Sequence, residues 1–107
     1  MAGKTTTVAA NHLRAWREFN RMTQAQLADS ANTSASVISQ LESGERGLSG
    51  KWLRILAPLL KTTPGFLLDH DPNDLDTQFL EAAMAVPPER REQALRILQT
   101  FRTGSDG

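Results

Sequence analysis

Between residues 23 and 45 the chain reads TQAQLADSANTSASVISQLESGE, and the side chains there that can do chemistry are hydroxyls and carboxamides. The Thr23 hydroxyl can accept from a helix's free amides, and Gln26 three residues later can complete a reciprocal capping box. Ser34 can cap a second helix in the same way. From Ser30 to Ser36 the run is small and polar, broken only by Ala31 and Ala35. This is reversible hydrogen-bonding chemistry. Bond-breaking chemistry has no comparable set: no paired carboxylates share a periodic face with a base, Ser, His and Asp form no motif, and no Gly-rich loop follows a strand. The chain is therefore expected not to be an enzyme. His12 and His70 lie far apart without ligand-like spacing and are both expected in solvent, so no metal, cofactor or small-molecule ligand is expected.

The elements that must position these groups are all helical, since no segment alternates with period two as a strand would. Leu13, Trp16 and Phe19 or Asn20 mark one face of a first helix over residues 8–20, and its end. Leu27 and Ala28 face inward from a second helix that opens after Thr23. The chain then leaves that helix through Asn32, which tolerates the left-handed conformation. Ser34 caps a third helix with Val37, Ile38 and Leu41 inward, and Gly44 supplies its left-handed stop. The polar run is thus a tight turn plus the capped start of the next helix, the connection of a helix-turn-helix. Ser49 caps a fourth helix carrying Trp52, Leu53, Leu56, Leu59 and Leu60, which Pro58 should kink or end early. Thr63 and Pro64 open a short fifth helix, where the missing proline amide costs nothing, and Phe66, Leu67 and Leu68 close the core. Trp16 and Trp52, both on apolar faces, are expected in the core.

The reading is all-α: a five-helix domain over 8–68 after a flexible lead over 1–7, a hinge over 69–74, two further helices over 75–102, and a frayed tail over 103–107. Leu75, Phe79, Ala82, Ala83 and Val86 form the first C-terminal stripe, and Ala94, Leu95, Leu98 and Phe101 the second. At 107 residues, 39% apolar and 22% charged, one compact domain with an appendage is what the length allows. No apolar run approaches the roughly 18 residues of a membrane span. The first residues lack the apolar core of a secretory signal. The absence of cysteine fits a reducing cytosol. The zero net charge hides an asymmetry: residues 1–68 carry eight basic against four acidic side chains, a net of +4, and residues 69–107 four against eight, a net of −4. A basic front with an acidic tail suits a nucleic-acid module.

The motif Thr23-Gln24-Ala25-Gln26-Leu27-Ala28, followed by Ser34, Ile38, Ser39, Leu41, Glu42 and Gly44, resembles the helix-turn-helix of the lambdoid phage repressor and Cro group, the Xre family. LRAWRE in the first helix and TPGFLL in the fifth are similar to its flanks, so the resemblance covers about residues 12–68. It implies a five-helix repressor-like DNA-binding domain in a cytoplasmic, DNA-associated transcription regulator of bacterial or phage origin, usually dimeric. The outcome implied is repression from a pseudo-palindromic operator.

Carried over by position, the resemblance sets Ala35, Ser36, Ser39 and Gln40 of the third helix against base edges in the major groove. It sets Gln24, Ser43 and Arg46 at phosphates, and makes Arg17 and Glu42 a structural ion pair; Ser34 at the cap of the third helix and Lys51 in the first turn of the fourth join the phosphate set by their own positions. Gln40 is the sharpest reader, because a carboxamide can donate to adenine N7 and accept from N6. Ser36 and Ser39 bond several bases and specify little. Ala35 stands where phage repressors often carry Gln, and its methyl can only pack on a thymine methyl. Arg21 stands where the family often has Gly, so Asn20 is expected to take the left-handed turn instead. The C-terminal helices either pack on the domain or form a homodimer interface, and the hinge favours the dimer. An interaction module on the same scaffold, antitoxin-like or anti-repressor-like, is the rival reading, supported by the acidic tail and the sparse base-reading set.

Overall fold

The computed structural model describes residues 11–104. The lead expected over 1–7, the helix start expected at Val8 and the last three residues of the tail lie outside them. The described chain is all-α, with seven α-helices and no strand. It divides into two compact units, one ending at Thr77 and one beginning at Gln78.

The first unit holds α1 (Leu13–Phe19), α2 (Gln24–Ser30), α3 (Ala35–Ser43), α4 (Gly50–Leu59) and α5 (Pro64–Asp69). Five of the element boundaries follow from local chemistry. Thr23 Oγ1 accepts from Gln26 N–H at 3.0 Å while Gln26 Oε1 accepts from Thr23 N–H at 2.8 Å, the reciprocal box that opens α2. Ser34, Ser49 and Thr63 accept from the amides of Val37, Trp52 and Phe66 and open α3, α4 and α5. Gly44, at φ 87°, ends α3. Each hydroxyl cap contributes about 1 kcal/mol.

Asn32, at φ 61°, turns the chain out of α2 as expected, and other boundaries differ from the sequence reading. α1 does not run through Asn11 and His12. Asn11 Oδ1 accepts from Leu13 N–H at 2.9 Å, and its Nδ2 donates to Leu41 O at 3.2 Å, which holds a turn there and ties it to α3. The left-handed residue after α1 is Arg21, at φ 58°, and not Asn20. Asn20 stays at φ −88° because its amide bridges Trp16 O and Leu60 O, joining α1 to the end of α4. α4 passes through Pro58 and stops one residue later, where Lys61, at φ 58°, turns the chain. The helix ends after α1, α2 and α4 share one pattern. Met22, Thr33 and Thr62 donate back to Arg17, Ala28 and Ala57, across left-handed Arg21, Asn32 and Lys61. That is the Schellman motif, built three times without glycine.

Leu13, Trp16, Leu27, Ala28, Ile38, Leu41, Leu56, Ala57, Leu60 and Leu67 are buried and form the core. Each buried leucine contributes roughly 1.5–3 kcal/mol. Trp16 also donates through Nε1 to Phe66 O and His70 O, fastening α1 to α5. Trp52 packs half-buried against the core. Of Phe19 and Asn20, the two residues left open for the end of the inner face, Phe19 is 51% exposed and meets Trp16 edge-on, whereas Asn20 is half-buried against Leu60 O.

The histidines are half-buried instead of solvated: the His70 ring lies against Phe66, tilted by 59° with ring centres 4.8 Å apart, and the His12 backbone amide donates to Leu67 O. The expected hinge at 69–74 is anchored by the buried Pro72 and by the His70 carbonyl on Trp16. The division between units falls inside α6 (Leu75–Met84), after the buried Thr77.

The second unit comprises the rest of α6, a 3-10 turn (Pro88–Arg90) and α7 (Arg91–Gly104), which runs two residues past its expected end. Arg91 donates to Val86 O and Met84 O and so closes the end of α6. Between the helices lies an open apolar groove of about 490 Å³. No described side chain from Gln78 onward is fully buried. Among the described residues no helix is long and apolar enough to cross a membrane.

Candidate nucleic-acid interface

The sharp α2–α3 connection sets the first turn of α3 outward. Its inner residues Ile38 and Leu41 are completely buried, whereas Ser34, Ala35, Ser36 and Ser39 are exposed. The orientation of α3 is fixed from behind by Glu42. Its carboxylate receives Arg17 Nε at 2.5 Å and Arg17 Nη2 at 3.2 Å, and then Gln24 Nε2 at 3.0 Å. Arg17 Nη1 also donates to Met22 O at 2.7 Å. One carboxylate therefore gathers α1, α2 and α3, and the guanidinium beside it holds the turn before α2. Both side chains are nearly out of solvent, 10% and 5% exposed, so their attraction is little screened by water. On the open side of α1, Glu18 raises the Arg14 guanidinium pKa above its ordinary value, by its hydrogen bond first and its charge second.

The expected contact residues fall into two groups. Ser34, Ala35, Ser36 and Ser39 share the exposed front of α3, and Arg46 and Lys51 stand exposed after it. Ser34 Oγ accepts from Val37 N–H, which leaves its own proton to donate.

Gln24, Gln40 and Ser43 are less free than their positions in the sequence suggest. Gln24 turns one amide N–H to Glu42 and keeps the other. Ser43 places its only proton on Gln40 O at 3.1 Å and accepts from Glu45 N–H at 3.2 Å, so it has no donor left for a phosphate. Gln40, half-buried, accepts at Oε1 from Arg46 Nε at 3.0 Å and Arg46 Nη2 at 2.8 Å. The two-way adenine pairing expected of Gln40 needs that oxygen and is closed while Arg46 holds it.

Sequence reasoning missed the Gln24–Glu42 bond, the Asn11 and Asn20 bridges, and the Gln40–Arg46 fork. Only the fork had a local signal, a donor-only side chain six residues after a carboxamide.

An exposed, hydroxyl-rich helix front, held by a buried clamp behind a tight turn, defines a helix-turn-helix protein. Residues 9–70, more than half of the chain, match the family model described as a helix-turn-helix domain, and the chain belongs to that family of DNA-binding regulators. Such domains are typically non-enzymatic. No curated protein and no solved structure matches the chain.

Proposed function

We propose that the protein is a sequence-specific regulator of the lambdoid repressor and Cro type, a repressor that lays α3 in the major groove of a pseudo-palindromic operator. The observation that carries this reading is the front of α3: four exposed small residues on a helix whose back is buried and clamped. Ala35, Ser36, Ser39 and Gln40 face base edges. Gln24, Ser34, Arg46 and Lys51 hold phosphates on either side, Gln24 through its remaining amide proton and the first amides of α2. Ser43 shapes the loop that carries Arg46 and leaves the phosphate set. The protein works in the cytoplasm of a bacterium or a phage host.

The second unit supplies a homodimer interface. Phe79, Met84, Leu95, Ile97 and Phe101 are each more than half exposed in a unit where no described side chain is buried, a patch of the kind that marks association. A two-fold pair of chains sets the two copies of α3 roughly 34–36 Å apart, one turn of DNA.

The experiment is selection of bound fragments from a random duplex pool, followed by titration of the enriched fragment across salt. About six phosphate contacts give a slope near −5 in log K against log salt. A protein that enriches no sequence and shows no salt-dependent binding is not this regulator, and the interaction-module reading then takes its place.

A further inference from the structure

The Gln40–Arg46 fork determines more than where two side chains lie. Arginine carries donors and no acceptor, so the amide atom facing it is Oε1, and Nε2 is the end turned away. The loop backbone is fixed beside Gln40 independently of that contact, which keeps the Arg46 side chain within reach of the carboxamide: Arg46 N–H donates to Gln40 O at 3.0 Å, and Ser43 bonds the same carbonyl.

We infer that Arg46 is a positioning residue that makes Gln40 a donor-only reader, so that the base pair under Gln40 is read as guanine. This rests on the DNA-binding reading above and adds the identity of one base. Guanine offers two adjacent acceptors in the major groove, N7 and O6, to the two protons of Nε2. Adenine offers N7 beside the N6 donor, which would oppose an amide proton with no oxygen free to accept it. Thymine offers one acceptor and cytosine one donor. The remaining Arg46 amino group, Nη1, takes no part in the fork and is the one left for the phosphate contact. Without Arg46 the Gln40 amide regains its oxygen, and adenine becomes its natural partner.

The test is sequence selection from a random duplex pool at low salt with the full chain, comparing the wild type with Gln40→Ala and Arg46→Ala. Both altered side chains lie on the surface, and far-ultraviolet circular dichroism checks that the helices persist. The wild type should select guanine at one position per half-site, and Gln40→Ala should lose preference there alone. Arg46→Ala should turn that position towards adenine, a change in the adenine-to-guanine ratio of roughly 5- to 150-fold. An Arg46 that held a phosphate and did not also position Gln40 would weaken all sequences together and leave the base preference unchanged. Adenine at the Gln40-dependent position in the wild type, no position that depends on Gln40, or a guanine preference that survives Arg46→Ala each overturn the inference while leaving the DNA reading standing. Failure to enrich any sequence overturns the DNA reading itself.

Discussion

Arg17 on α1 grips Glu42 on α3 through two N–H···O bonds, and the same guanidinium holds Met22 O in the turn between α1 and α2. The pair sits behind the exposed face of α3. Its loss acts first on stability and the aim of that helix, and only then on any ligand. Arg17→Ala leaves Glu42 buried with Gln24 as its remaining donor, and should destabilise the protein by roughly 3–5 kcal/mol. Joint replacement of Arg17 and Glu42 by apolar residues should cost clearly less than the sum of the single changes. Urea denaturation of the four proteins measures the coupling, and additive losses would show that the two do not act as a unit.

Lys61 adopts φ 58° at the end of α4, a conformation that disfavours a side chain with a Cβ by roughly 1–2 kcal/mol. Glycine removes that strain and gives back part of the gain through its larger unfolded-state entropy. Lys61→Gly should therefore stabilise by up to about 1 kcal/mol, and Lys61→Ala should give no such gain. Thermal unfolding of both variants decides it. A glycine variant no more stable than the alanine one would remove the left-handed assignment.

Lys51 lies exposed in the first turn of α4. As a phosphate contact it should contribute equally to every sequence. Lys51→Ala should weaken binding to the selected fragment and to unrelated DNA alike and flatten the salt slope by about one. A loss confined to the selected fragment would place Lys51 at a base edge instead.

Leu95 and Ile97 are each 53% exposed on α7. Leu95→Glu should leave the first unit folded and shift the chain from dimer to monomer in sedimentation equilibrium, with a matching fall in affinity for a two-half-site fragment. A wild type that is monomeric at tens of micromolar concentration on the order of typical assays would rule out the interface.

Reading the sequence succeeded where a structural decision is made within one turn of helix. Thr23 with Gln26, and Ser34, Ser49 and Thr63, can each reach the amides they cap because those amides lie three residues away, so type and spacing suffice. Asn32 and Gly44 turn left-handed where their own backbone tolerance allows it. Arg21 and Lys61 do the same without that tolerance. The packing of α1 against α3 and α5, and of α4 against α5, fixes where those helices must end, and overrides a local preference of about 1 kcal/mol. Between Phe19 and Asn20, which the spacing left open as the last residue of the α1 face, the fold chose Asn20, whose amide reaches Leu60 O, and left Phe19 exposed.

The sequence by itself determined that this chain is helical, where most helices start, and that a helix with a small, polar front follows a tight turn. Those properties depend on side chains and amides only a few bonds apart. The tertiary structure alone decided that Glu42 joins three helices, and only the folded loop after α3 decided that Gln40 shows its nitrogen and not its oxygen. A carboxamide has two chemically opposite ends, and only a neighbour brought up by the folded loop chooses which of them faces outward.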